Sequence, residues 1–332
     1  MIGNLRKPNK LITSSSSDGS LASCPEIMIR QALRFGEGYI HRAGARVQLF
    51  AAGVIFGLLA ALTRIATTGG FTPGQIAVVR FGTGAVLTLG LFAARPGTFA
   101  PVMRGLLFTR GALGGLAAFL YFVALSRIPA GEATLLNNTF PILATALAYF
   151  TLRERPTIHL VIGLIIASFG VFLVLGGGTS SFSLGLGELA GIASAILGAG
   201  AVNAIRALRK TDNAPTIFFA FCLGGLIVSW PFALGPWPTN AGLWVTAIGG
   251  VGVTSFAAQM LMTHAYGKFT VPEAAIWQQL TPVASYLWAL ALLDERLAPL
   301  GILGVGLGVT GVVYGSALGQ RGIRPAAPHV DV

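Results

Sequence analysis

The sequence predicts an all-α membrane protein of ten transmembrane helices, arranged as two five-helix repeats of opposite topology. Three observations carry this reading: a shortage of charge, ten apolar segments of spanning length, and an internal repeat in one register. Of the 332 residues, 54% are hydrophobic and 10% charged, against roughly 25% charged in a soluble domain. That is too little charge to cover a soluble surface, so the apolar faces must meet a lipid bilayer. The net charge of +11 does not signal nucleic acid. The basic residues sit in short gaps between apolar runs rather than on a polar domain. Cys24 and Cys222 form neither a disulfide framework nor a metal-ligand spacing, and no metal or cofactor is expected.

Residues 1–46 are polar and basic and include Ser14-Ser15-Ser16-Ser17. That composition predicts a disordered cytoplasmic tail. Ten apolar segments follow at 47–67, 73–94, 106–126, 130–151, 157–176, 186–206, 214–234, 242–265, 271–292 and 299–319. Each approaches the roughly 20 residues needed to cross a hydrocarbon core of about 30 Å. Turn chemistry separates them, as at Gly69-Gly70, Arg95-Pro96-Gly97, Gly176-Gly177-Gly178 and Gly235-Pro236-Trp237-Pro238. Repeat 1 thus covers 47–176 and repeat 2 covers 186–319, with a second cytoplasmic tail over 320–332. Of 22 Lys and Arg residues, eighteen, Arg110 among them, fall on one side of this arrangement. Arg64, Arg127 and Arg296 fall on the other, and Arg80 lies within a helix. The positive-inside rule therefore predicts that both termini are cytoplasmic.

A shift of 141 positions lays 124–171 on 265–312 without a gap. Arg127 meets Lys268, Glu132-Ala133 meets Glu273-Ala274, and Asn137-Asn138 meets Gln278-Gln279. Pro141 meets Pro282, Glu154-Arg155 meets Glu295-Arg296, Gly163 meets Gly304, and Gly170-Val171 meets Gly311-Val312. Apolar matches alone mean little between membrane helices; polar pairs, prolines and glycines in one register mean much more. Five helices per repeat is an odd number, so the second repeat enters the membrane inverted. Inverted repeats are a recurrent plan of secondary transporters, with the substrate near the midplane between the halves.

The stretch Pro129-Ala130-Gly131-Glu132-Ala133-Thr134-Leu135-Leu136, then Pro141, then Leu152-Arg153-Glu154-Arg155, resembles the signature of EamA-like transporters in the drug/metabolite transporter superfamily. A second copy reads Val271-Pro272-Glu273-Ala274-Ala275, Pro282 and Leu293-Asp294-Glu295-Arg296. The resemblance runs from about residue 47 to 319. It implies a ten-helix inner-membrane exporter of small metabolites, amino-acid-like or drug-like, and does not name the substrate.

Polar side chains in the hydrocarbon region are costly and mark candidate sites. Asn137 and Asn138 lie about 12 Å into the fourth helix by the helical rise, and Gln278 and Gln279 lie equally deep from the opposite face. These amides either line a substrate cavity or bond between helices. Neighbours point about 100° apart, so one of each pair can do each. Arg80, about 10 Å into the second helix, either meets an anionic group or snorkels to the surface. Trp277 and Tyr121, with Phe119 and Trp288, either line the cavity or pack as core. Glu132 and Glu273 either carry protons or sit as first-turn caps; Thr270-Val271-Pro272-Glu273 reads as a capping box. Pro141 and Pro282 are candidate hinges or fixed kinks. Gly304, Gly308, Gly311 and Gly315 have small-xxx-small spacing and could pack helices, or a homodimer.

Other classes fit less well. An enzyme would need clustered acids or histidines, but His41, His159, His264 and His329 are scattered. A channel would carry rings or filters of polar groups, and a scaffold has no need of midplane amides. No phosphate-binding loop of the ATPase type is present.

Overall fold

The computed structural model of the chain describes residues 24–125, 127–128, 130–175, 185–292 and 299–319. Residues 1–43 form one unit and 44–332 another. In the first, helix α1 (Cys24–Thr68) has already begun, so 24–46, expected as tail, are helical. The remaining tail residues lie outside the described part, as do Arg296 and the Asp294-Glu295 of the second motif copy.

The second unit continues α1 and adds α2 (Pro73–Ala94), α3 (Arg104–Leu125), α4 (Ala130–Asn137), α5 (Phe140–Thr151), α6 (Ile158–Val174) and α7 (Leu186–Leu208). Then come α8 (Ala214–Ser229), α9 (Ala241–Val245), a π-helical stretch Thr246–Gly252, α10 (Val253–Ala265), α11 (Val271–Gln278), α12 (Leu280–Leu292) and α13 (Pro299–Leu318). Among the described residues there is no strand. Helix starts follow local chemistry. Thr72 and Thr270 build capping boxes with Gln75 and Glu273, and Thr157 and Asn213 cap α6 and α8.

Among the described residues, seven helices are long and apolar enough to cross a membrane: Ala43–Thr68, Pro73–Ala94, Arg104–Ala124, Leu186–Leu208, Ala214–Phe232, Ala241–Ala265 and Pro299–Leu318. Ile158–Val174 is a shorter apolar helix. The other two expected spans are not continuous. Segment 130–151 breaks into α4 and α5 at Asn138-Thr139, and 271–292 breaks into α11 and α12 at Gln279. The two prolines explain both breaks. Pro141 and Pro282 have no N–H for the carbonyl four residues back, and each sits in the first turn of the second piece, where none is needed.

Contacts sort the turns into two ends. At one end Gln75 Nε2 donates to Pro236 O at 3.0 Å, and Phe71 meets the stacked pair Trp237 and Trp244. At the other, Asp212 accepts from Val102 N and Met103 N, and Thr157 Oγ1 donates to Gly319 O. Gln48, near the start of this unit, and His264 also meet there. We name these the Trp237 end and the Glu154 end.

The glycine stripe is used within the chain. Cβ atoms on Gly163 and Gly170 would lie 2.7 and 2.6 Å from the carbonyls of Gly311 and Gly304. Helices α6 and α13 therefore pack backbone to backbone, and the stripe is not available to a second copy. Large apolar side chains such as Phe108, Phe150, Phe169 and Ile227 face outward, as a lipid-facing perimeter requires.

Packing breaks the symmetry of the repeat. Helix α5 packs against α11. Their counterparts, α4 and α12, make no comparable contact among the described residues.

Candidate functional site: a cavity between the two halves

The cavity between α4 and α12 has a volume of about 590 Å³. Thr63, Arg64, Thr67 and Pro73 line it toward the Trp237 end, and Val202, Ile205 and Met262 toward the other. Beyond Met262 it is sealed by a core of Tyr266, Phe269, Val271, Ile205 and Leu208. A polar lock lies over that core. Arg206 Nε donates to Glu154 Oε1 at 2.7 Å, Val271 N donates to Glu154 Oε2 at 2.6 Å, and Arg206 Nη1 donates to Tyr266 O at 3.0 Å. Glu154 belongs to repeat 1, and its two partners, Arg206 and Val271, belong to repeat 2.

Both broken helices end at this cavity. Asn138 N and Nδ2 donate to Thr134 O at 2.8 and 3.0 Å, so the side chain adds a second bond to a carbonyl already paired with the backbone. Thr134 Oγ1 also lies 2.9 Å from Tyr121 Oη. Asn137 Oδ1 lies 2.9 Å from Ser194 Oγ. Gln278 lines the cavity, but Gln279, 0% exposed, points to α6 and donates to Ser168 Oγ at 2.9 Å. The two glutamines thus divide between cavity and helix contact.

Of the other expected residues, Asn137, Asn138, Arg80, Tyr121 and Pro282 line the cavity; Pro141, Trp277, Phe119 and Trp288 are not among its lining residues. Trp277 packs between two core clusters. Trp288 Nε1 donates to Val54 O, and Phe119 stacks near Phe232. Glu273, 2% exposed, closes its capping box: Oε2 accepts from Thr270 N and Oγ1 at 2.9 and 2.8 Å. Glu132 falls in α4, but its side chain lies outside the described residues.

Arg80 is half-buried and does not stand alone. Its Nε donates to Ser255 Oγ at 2.8 Å, and Cζ lies 5.5 Å from the Phe81 ring centroid. A second cation was missed. Arg110, counted with the cytoplasmic loop charges, lies six residues into α3, 3% exposed, and faces the cavity. Its Cζ stands 4.1 Å from the centroid of Phe221, and Phe221 meets Phe81 edge-on at 5.0 Å. Gly114 leaves the room: a Cβ there would collide with Arg110 Nη1. Arg110, Gly114, Ala117, Ala118 and Tyr121 share one α3 face, and helical spacing from Tyr121 was the signal that could have found Arg110. Gln259, Ser194, Thr281 and Ser285 also line the cavity unforeseen. Among the described lining residues are three arginines and no Asp or Glu.

The profile of the EamA-like transporter family matches residues 45–176 and again 185–316. The chain belongs to the EamA-like transporter family. The two matches coincide with the two repeats, so each half of the cavity wall is one EamA-like unit. The chain is 26% identical over 202 residues to the pseudopaline exporter CntI of Pseudomonas aeruginosa, spanning 60% of this chain and 70% of that protein. It is 27% identical over 271 residues to an uncharacterized transporter of Helicobacter pylori, spanning 77% and 89%. A solved crystal structure superimposes with a TM-score of 0.68 at 22% identity, over 82% of this chain and 98% of that one; that likeness concerns the fold. This EamA-like transporter is therefore a multi-pass membrane protein that handles a small molecule.

Proposed function

We propose that this EamA-like transporter is a secondary exporter of small metabolites, working by alternating access in the inner membrane with both termini cytoplasmic. The observation that carries the reading is the broken symmetry of the two discontinuous helices: α5 touches α11, while α4 and α12 stand apart around the cavity. Exchanging those two relations would close the Trp237 end and open the Glu154 end.

Ten crossings result if α4 with α5, and α11 with α12, count as one each. An even count returns the chain to its starting side, which fits Gln48 and Gly319 contacting the same end. The positive-inside rule makes that end cytoplasmic, so the cavity faces outward, as after release of cargo. In this reading Asn137, Asn138, Gln278, Arg80 and Tyr121 hold the cargo, with Gln279 and Trp277 supporting the wall. Pro141 and Pro282 lie where the halves of each broken helix would swing. Export is supported by the exporter role of the Pseudomonas relative.

The test is flux. Proteoliposomes are loaded with a small-molecule extract of the expression host, and loss of solutes is followed by mass spectrometry. Saturable loss of particular solutes, absent from protein-free liposomes, is expected. A non-saturating leak of many ions would point to a channel, and no loss at all would remove the transport reading.

A further inference from the structure

We propose that Arg110, with Arg80 as a second cation, forms a receptor for a carboxylate, so that the cargo is a small organic acid anion. The inference rests on the transport reading above and deepens it. Arg110 is almost wholly buried, yet its Nε has no hydrogen-bond partner, and what holds the guanidinium is the face of Phe221. An unpaired buried cation is strongly disfavoured. Arg206, by contrast, has Glu154 and two carbonyl oxygens. Arg110 instead stands in the cavity wall.

The surroundings specify the ligand. A cationic cargo would meet guanidinium groups with no carboxylate among the described lining residues to offset them. An anionic cargo meets two fixed cations, joined through the edge-on contact of Phe81 with Phe221. Ser255 pins Arg80 through Nε. A planar guanidinium fork matches a planar carboxylate in bidentate fashion. Phosphate sites characteristically use successive backbone N–H groups at a nest or helix start, whereas this wall presents side chains from mid-helix. Gln259 Oε1 and Thr281 Oγ1, also unpartnered, remain for the cargo's N–H or hydroxyl groups.

The experiment is the extract-loaded proteoliposome assay, with wild type, Arg110→Gln and Arg110→Lys compared and each solute sorted by charge. Carboxylates are expected to dominate the solutes lost from wild type. Arg110→Gln is expected to slow their loss roughly tenfold or more, the scale of one charge-assisted hydrogen bond, and Arg110→Lys to fall between. For the most strongly lost acid, the acid is expected to compete and its methyl ester not to. This wild-type comparison decides the matter even if Arg110→Gln does not purify. Loss of neutral or cationic solutes, unchanged by Arg110→Gln, overturns the inference and leaves transport standing. Loss of phosphate esters without carboxylates overturns the carboxylate assignment. No loss from wild type removes both.

Discussion

Arg110 lays its guanidinium over the ring of Phe221, 4.1 Å from the centroid, in the space that Gly114 leaves open. The ring stabilises the cation and also fixes its direction into the cavity. At a desolvated site such a contact contributes about 1–2 kcal/mol. Phe221→Leu is expected to raise the half-saturating substrate concentration roughly fivefold with little change in expression. Gly114→Ala should act the same way, because its methyl group displaces the guanidinium. Unaltered flux kinetics in both would show that the ring does not position Arg110.

The lock at Glu154 makes a different expectation. Glutamine keeps one acceptor oxygen, so either Arg206 Nε or Val271 N loses its partner, which costs roughly 2 kcal/mol of closure at that end. Glu154→Gln should therefore shift the population toward opening at the Glu154 end. In a background with Cys24 and Cys222 changed to Ser, Met262→Cys reports this. Its labelling by a membrane-impermeant thiol reagent from the Glu154 side should rise when Glu154→Gln is added. Equal labelling rates would mean that the apolar core alone holds this end shut.

Adjacent glutamines should separate by readout. Gln278→Leu is expected to weaken substrate affinity while leaving the unfolding temperature nearly unchanged. Gln279→Leu should do the reverse, removing the Ser168 bond, worth about 1 kcal/mol, and sparing affinity. Thermal unfolding and flux measured on the same preparations check the pair.

Glu273 tests proton coupling. Its carboxylate accepts from the N–H and hydroxyl of Thr270, and a glutamine can accept those bonds without titrating. Glu273→Gln should keep both the fold and the pH dependence of flux, while Glu273→Ala loses about 1 kcal/mol of stability with the cap. A pH profile flattened by Glu273→Gln alone would assign the residue a proton.

The close seam of α6 and α13 is expected to be the least tolerant part of the wall. Gly170→Leu would force a side chain into the carbonyl of Gly304 and the backbone of Gly308. A loss of about 2–3 kcal/mol or more follows from such overpacking, seen as a lower unfolding temperature and reduced yield.

What could be read from the residues alone is what lies along one dimension. Segment length and apolarity determine an all-helical membrane protein, because the bilayer demands both. The 141-residue register between Glu132 and Glu273, or Pro141 and Pro282, determines the duplication. The prolines even marked where two helices break, though they were read as kinks in continuous spans. Tertiary structure alone decided which side chains share the cavity. Gln278 and Gln279 are equal in sequence, and only the positions of α6 and α7 around that helix separate them. Arg110 looked like a loop charge because hydropathy counts residues without their azimuth. Its burial against Phe221 depends on α8 lying beside α3, a contact more than a hundred positions away along the chain. The open and closed ends are likewise invisible in a symmetric repeat. They follow from the packing of α5 against α11, which α4 and α12 do not repeat among the described residues.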